Sequence, residues 1–147
     1  MEVKNIFVVG AGLMGSGIAQ TAIVSGFKVT LNDQRVEALD RAHDGIAKNL
    51  NREVEKGRMS QEDCDAAIAR LSTSASMQPA KDADLVIEAI FENLDAKQSV
   101  FKQLEDICPP HTIFASNTSS ISLTSLAAAT KRPSQVVGMH FFSPVPK

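Results

Sequence analysis

Three glycines constrain this chain more than any other feature. Residues 6–20 read Ile-Phe-Val-Val-Gly-Ala-Gly-Leu-Met-Gly-Ser-Gly-Ile-Ala-Gln, so Gly10, Gly12 and Gly15 follow a short apolar run at G-x-G-x-x-G spacing. The run Ile6 to Val9 reads as a buried strand, and a helix starts near Leu13. Each glycine then has its own physical reason. Gly10 permits the tight turn, Gly12 lets backbone approach a pyrophosphate, and Gly15 lets helix and strand pack closely. The helix N-terminus offers free N–H groups and a positive dipole end to such a group. The loop Gly10, Ala11, Gly12, Leu13, Met14, Gly15 is therefore a candidate dinucleotide site. A second apolar run, Val29 to Asn32, ends in Asp33. That acid lies about 20 residues beyond the glycines, where a carboxylate accepts hydrogen bonds from the adenosine ribose. A carboxylate also repels a 2′-phosphate, which favours NAD over NADP; Arg35 partly offsets this.

The other bulk properties exclude more than they assert. The chain has 147 residues, 44% hydrophobic and 22% charged, with a formal net charge of −2. That is long enough for one domain, 1–147, with a substantial core. The balance gives no reason to expect nucleic acid or an acidic membrane surface. No apolar run has the length of a membrane span. The first strand begins so near Met1 that no leader peptide is expected. Cys64 and Cys108 are isolated, so a reduced, cytoplasmic setting without a metal site is expected.

Along the chain, strand and helix patterns alternate. A first helix is expected over about Leu13 to Ser25, stopped by Gly26. A strand follows over Lys28 to Asn32. A long helix from about Arg35 to Glu55 carries an apolar stripe of Val36, Leu39, His43, Ile46, Leu50 and Val54. Gly57 ends it. Ser60 is an N-cap for a shorter helix reaching about Arg70, with Ala66, Ile68 and Leu71 as its apolar positions. The two helices form a hairpin expected to project from the sheet. Short strands are expected at Ser72 to Ser76, Leu85 to Ile87, Thr112 to Ala115 and Val136 to Met139, and helices at about Asp95 to Cys108 and Leu123 to Thr130. This is a doubly wound, Rossmann-like α/β fold with a mostly parallel sheet. Ligands in such sheets bind outside the carboxyl ends of the strands. The glycine loop, Asp33, Glu88 with Glu92, Ser116 to Ser120, and His140 should therefore meet at one edge.

A dinucleotide site points to hydride transfer, which needs an acid or base at the reacting oxygen. Histidine suits both roles. Of the three histidines, His43 lies in a helix stripe and His111 at the amino end of a strand. His140 stands at a carboxyl end, as a proton-transfer group or a structural residue. Ser119 would donate to a substrate oxygen or cap a helix. Lys48, Arg52 and Lys56 recur at every fourth position of the long helix, either as a solvated face or as a phosphate-binding ridge.

Four segments carry a resemblance: Gly10 to Gln20, Val-Ile-Glu-Ala-Ile-Phe-Glu-Asn at 86–93, Ala-Ser-Asn-Thr-Ser-Ser at 115–120, and Gly-Met-His-Phe-Phe-Ser-Pro-Val-Pro at 138–146. Together they resemble the L-3-hydroxyacyl-CoA dehydrogenases, the bacterial 3-hydroxybutyryl-CoA enzymes most of all, along the whole chain. The resemblance implies NAD as cofactor, with Gly10 to Gly15 at the pyrophosphate and Asp33 at the ribose. It places Glu92 and Lys97 at the nicotinamide end, and Asn117 is a further expected cofactor-binding residue. Ser119 would bind the substrate's 3-oxygen, and His140 would be the general base for oxidation and the acid for reduction. Lys56, with Arg52 and Lys48, would meet the nucleotide end of coenzyme A. The family's Asn after His-Phe-Phe is Ser143 here. Its orienting glutamate follows the histidine by roughly a dozen residues, beyond Lys147, as does a helical domain that closes the acyl-CoA cleft and builds a homodimer. The chain is accordingly expected to be the cofactor domain alone, binding NAD(H) with little or no turnover. A non-catalytic NAD-binding module and a gulonate-type or other β-hydroxyacid dehydrogenase are the alternatives.

Overall fold

The computed structural model describes residues 2–117 and 120–139. Strand β1 (Asn5–Val9) leads through the glycine loop into α1 (Leu13–Val24), and β2 (Lys28–Asn32) follows. Helices α2 (Val36–Glu55) and α3 (Gln61–Ala69) precede β3 (Leu71–Ser74). Strand β4 (Leu85–Glu88), helix α4 (Leu94–Ile107), strand β5 (Ile113–Ser116), helix α5 (Ser120–Ala128) and strand β6 (Val136–Gly138) complete the order. The six strands form one sheet in the order β3-β2-β1-β4-β5-β6, and every neighbouring pair is parallel. This is the Rossmann-like architecture expected from the alternation of patterns.

Both sheet faces are covered, so the central strands read as unbroken apolar runs rather than alternating ones. Along β1 the period of two still sorts the side chains. Ile6 and Val8 pack with Ile18, Leu31, Leu39, Ile46 and Leu50 on the α1–α2 face. Phe7 and Val9 pack with Val86, Phe101, Leu104, Phe114 and Leu126 on the α4–α5 face. Helix α1 stops in a Schellman arrangement: Gly26, at φ +103°, donates its N–H to Ile23 O, and Phe27 donates to Ala22 O. Ser60 caps α3 by accepting from the Asp63 N–H at 3.0 Å. Asn93 caps α4 by accepting from the Ala96 N–H at 2.9 Å.

Several boundaries move, each for a packing reason. Leu71 opens β3 opposite Val29 and is buried, so it belongs to the strand rather than to the preceding helix. On α3 the buried positions are Cys64 and Ala67, while Ala66 is exposed. Val36 is also exposed, outside the stripe that Ala38, Leu39, Ala42, Ile46 and Leu50 bury. Helix α5 begins at Ser120, three residues ahead of the expected start. The α2–α3 hairpin is docked rather than projecting over much of its length. Leu50, Cys64 and Ala67 share the core with β1 and β2, and Val54 and Met59 pack at its margin.

Candidate dinucleotide-binding site

The three glycines occupy three different environments. Gly10 has φ +106°, and a Cβ there would lie 2.7 Å from the Ala89 carbonyl oxygen. A Cβ on Gly15 would lie 1.7 Å from the Gly10 carbonyl oxygen, so α1 reaches β1 only because that side chain is absent. A Cβ on Gly12 would meet nothing within 4 Å. The space over Gly12 is open, and the helix behind it is left for an anion. Gly12 is the N-cap, no side chain caps it, and the first turn of α1 holds no acid. Leu13 is 76% exposed beside this opening.

Asp33 is brought directly to the loop. The Ala11 N–H donates to Asp33 Oδ2 at 3.0 Å, and the Arg35 N–H donates to Oδ1 at 2.9 Å. The Arg35 guanidinium also reaches this carboxylate, with Nε 3.3 Å from Oδ1. Burial alone would raise the Asp33 pKa, but the N–H groups of Arg35 and Ala11 and the Arg35 side chain outweigh it and hold it below the usual carboxylate value. A fixed, ionised acceptor therefore stands at the end of β2. Neighbouring Asn32 is buried and donates to the carbonyls of Ser74 and Ser76, each at 3.0 Å, which fastens the β3 exit beside it.

A cleft of about 680 Å³ opens from this point, with Gly10, Asp33 and Arg35 on one side and Met77, Ile90 and Val100 among its other walls. The largely apolar side suits a planar base and the polar side a ribose and phosphates. The sequence did not identify this wall, because Met77 and Val100 come from segments without any ligand motif. A smaller cavity of about 400 Å³ lies at the opposite edge, along the amino-terminal parts of β1 and β2, away from the glycine loop.

The remaining expected residues divide. Glu92 is exposed on the β4 exit loop, and Asn117 is half-buried beyond β5. Lys97 does not line the cleft. Its side chain is 1% exposed, with Nζ 2.9 Å from Glu88 Oε1 and 3.9 Å from Glu92 Oε1. Glu88, expected among the ligand-facing polar groups, is fully buried as its partner. Nothing local in the sequence reveals that pair, since its members lie on different elements. Lys48, Arg52 and Lys56 are exposed along α2, and none makes an ion pair among the described residues. With about 1.5 Å of rise per residue, the ridge begins roughly 18 Å along the helix from Val36, so it is not part of the glycine-loop cleft. Ser119 and His140 lie outside the described residues. His111 is at the amino edge, paired with Asp84 at 2.8 Å. Among the described residues no group of three His, Cys, Asp or Glu side chains is arranged to hold a metal, and no helix is long and apolar enough to cross a membrane.

Comparison with known proteins gives the same assignment. The model of the 3-hydroxyacyl-CoA dehydrogenase NAD-binding domain family matches residues 5–147. The probable 3-hydroxybutyryl-CoA dehydrogenase of Bacillus subtilis is 51% identical over 146 residues, covering 99% of this chain and 51% of that protein. The 3-hydroxyadipyl-CoA dehydrogenase of Escherichia coli is 44% identical, covering 99% of this chain and 31% of that protein. A crystal structure of 3-hydroxybutyryl-CoA dehydrogenase from Escherichia coli superposes with a TM-score of 0.96 at 44% identity, over 99% of this chain and 31% of that one. The chain thus spans from about a third to half of the length of these relatives.

Proposed function

The chain belongs to the family of 3-hydroxyacyl-CoA dehydrogenase NAD-binding domains, and we propose that it serves hydride transfer between NAD(H) and the 3-position of an acyl-CoA. The observation that carries the reading is the contact between Ala11 N–H and Asp33 Oδ2 beside the open space over Gly12. One residue set thereby offers a ribose acceptor and an anion cradle at a single strand edge. The residues present fit the cofactor, which when bound supplies the hydride donor or acceptor.

The chain's own part is binding, orientation and proton handling. Gly10 to Gly15 present backbone N–H groups to the pyrophosphate, and Asp33 accepts from the ribose hydroxyls and disfavours a 2′-phosphate. Ser119 follows β5 by three residues and would hold the substrate's 3-oxygen. His140 follows β6 by two and would take the proton of the 3-hydroxyl in oxidation and return it in reduction. Glu92 and Asn117 stand at neighbouring strand exits as contacts for the nicotinamide half. Lys56, Arg52 and Lys48 would meet phosphates of coenzyme A; their lack of carboxylate partners among the described residues supports that role. Residues 1–147 act as one cofactor domain, and a homodimer is the proposed assembly of the whole enzyme.

Two measurements test this. NADH should bind saturably, and replacing Asp33 by Ala should weaken it at least about tenfold, through loss of charge-assisted hydrogen bonds. With acetoacetyl-CoA added, these 147 residues should oxidise NADH slowly, and His140→Gln should remove that oxidation. Failure to bind NADH would overturn the reading. Equal binding of NADPH would overturn the proposed role of Asp33.

A further inference from the structure

Strand β6 is short and lies at the edge of the sheet, joined among the described residues only to β5. Val136 is half-buried, while Val137 and Gly138 are exposed. A strand buried so little does not fix its own register, because a slip along β5 would lose it little apolar contact. Yet that register decides where the chain emerges at the carboxyl edge, and His140 comes two residues later. The register has to be held from outside the strand.

The turn ahead of β6 supplies that hold. Helix α4 ends at Ile107, and Pro109 and Pro110 follow. Proline has no N–H, so the Glu105 carbonyl lacks the donor that residue 109 of a continuing helix would offer. Arg132 takes its place. Nη2 donates to the Glu105 carbonyl at 3.3 Å, Nη1 to the Pro109 carbonyl at 2.6 Å, and Nε to Glu105 Oε2 at 2.6 Å. The side chains of Arg132 and Glu105 are each only 12% exposed. The guanidinium lies over the Phe114 ring, 5.0 Å from its centroid. Glu105 Oε1 accepts from the Lys131 N–H. Gln135 Nε2 donates to the carbonyls of Pro110 and Thr112, at 2.8 and 2.9 Å. A cation suits the negative end of α4, and the planar fork fixes the turn in orientation as well as position.

The partners of this clamp belong to α4, to the turn after it and to β5, so β6 enters beside β5 at one height. We infer that Arg132, with Glu105 and Gln135, is a positioning residue for proton transfer. By fastening the turn ahead of β6, the clamp sets the register of that strand and, through it, the place of His140. It acts from the amino edge and touches neither cofactor nor substrate. The inference rests on the proton-transfer role proposed above for His140.

Diethyl pyrocarbonate, which carbethoxylates accessible imidazoles, tests this without any need for turnover. The labelling rate of each histidine is followed by peptide mass spectrometry, with and without NADH. At NADH about ten times its dissociation constant, roughly a tenth of the unaltered chain is free, so His140 labelling should slow about tenfold. His111, at the amino edge, should label at the same rate with and without NADH. The double variant Glu105→Gln/Arg132→Met removes the ion pair and strands no charge. It should bind NADH within about twofold of the unaltered chain, because the clamp is remote from the glycine loop. Its protection of His140 should fall below about threefold, as expected when a supporting shell no longer holds a group in place. Gln135→Ala leaves the ion pair intact and should reduce the protection by about half; it decides the matter if the double variant does not fold. Full protection in the variants overturns the inference. So does NADH affinity that falls in step with protection, which would mean general loosening. An unaltered chain that binds NADH without protecting His140 overturns the role given to His140 and the inference with it, while NAD binding stands. An unaltered chain that does not bind NADH overturns the NAD-binding reading itself, and the inference falls with it.

Discussion

Gly12 and Gly15 stand three residues apart and should respond oppositely to the same substitution. A Cβ at Gly15 would sit 1.7 Å from a backbone oxygen, which no side-chain rearrangement relieves. Helix α1 would have to leave β1, so Gly15→Ala should lose about 3 kcal/mol or more in denaturant unfolding. Gly12 has φ −77° and open space above it. Gly12→Ala should therefore change stability by less than about 1 kcal/mol, while the new methyl fills the cradle and removes NADH binding. A large stability loss at Gly12, or unimpaired NADH binding there, would contradict this assignment. The same pair shows why the glycine motif is legible in sequence: backbone approach has few solutions, and spacing specifies them. Lys97 is not legible in that way. Its neighbours suggest a helix start, but burial against Glu88 is decided by how α4 crosses the strand exits, which no local pattern contains.

Elements are readable where local chemistry fixes them. Ser60 followed by Gln-Glu-Asp signals a capped helix, and Ser60 does accept from the Asp63 N–H at 3.0 Å. Ser60→Ala should lower stability by about 1 kcal/mol, the usual consequence of uncapping, measured as a shift in urea midpoint at unchanged slope. Because Cys64 and Ala67 tie α3 to the core, the effect should appear in global unfolding. Loss confined to local fraying of α3, seen by amide exchange, would instead mean that the hairpin opens independently. Docking of the hairpin is the part that sequence withholds. The i, i+3, i+4 stripe of α2 shows that one face is buried, but not what it is buried against. The 3₁₀ turns at Gln78–Asp82 and Pro133–Gln135 escape a sequence reading for a related reason. Proline marks a turn there, and the tight conformation is set by the elements on either side: β3 and β4 for the first, α5 and β6 for the second.

The whole sheet has two unlike edges. Its carboxyl edge is left open for a ligand, whereas its amino edge is fastened where the two halves meet, between β1 and β4. Asp84 precedes β4 and accepts from the N–H groups of Lys4 and Asn5 through Oδ2, at 2.9 and 3.0 Å, while His111 contacts Oδ1 at 2.8 Å. The Lys4 N–H, the His111 ring and the Asn5 N–H lower the Asp84 pKa to about 2, against a slight rise from burial. The folded value thus lies below the unfolded one, so ionised Asp84 favours the folded state. That contribution is complete above the unfolded value, near 4, and is lost as pH falls toward 2. Asp84→Asn should therefore destabilise the chain by about 1–2 kcal/mol at neutral pH, through weaker acceptors for these N–H groups. The difference between variant and parent should narrow between about pH 4 and pH 2. Because the lock is at the far edge from the glycine loop, NADH affinity of the folded variant at pH 7 should be unchanged. Thermal melts across that pH range, paired with one NADH titration, check both parts. A stability difference that stays constant down to pH 2 would show that Asp84 does not hold the halves together through its charge, and a weakened NADH affinity would show that the two edges are not independent.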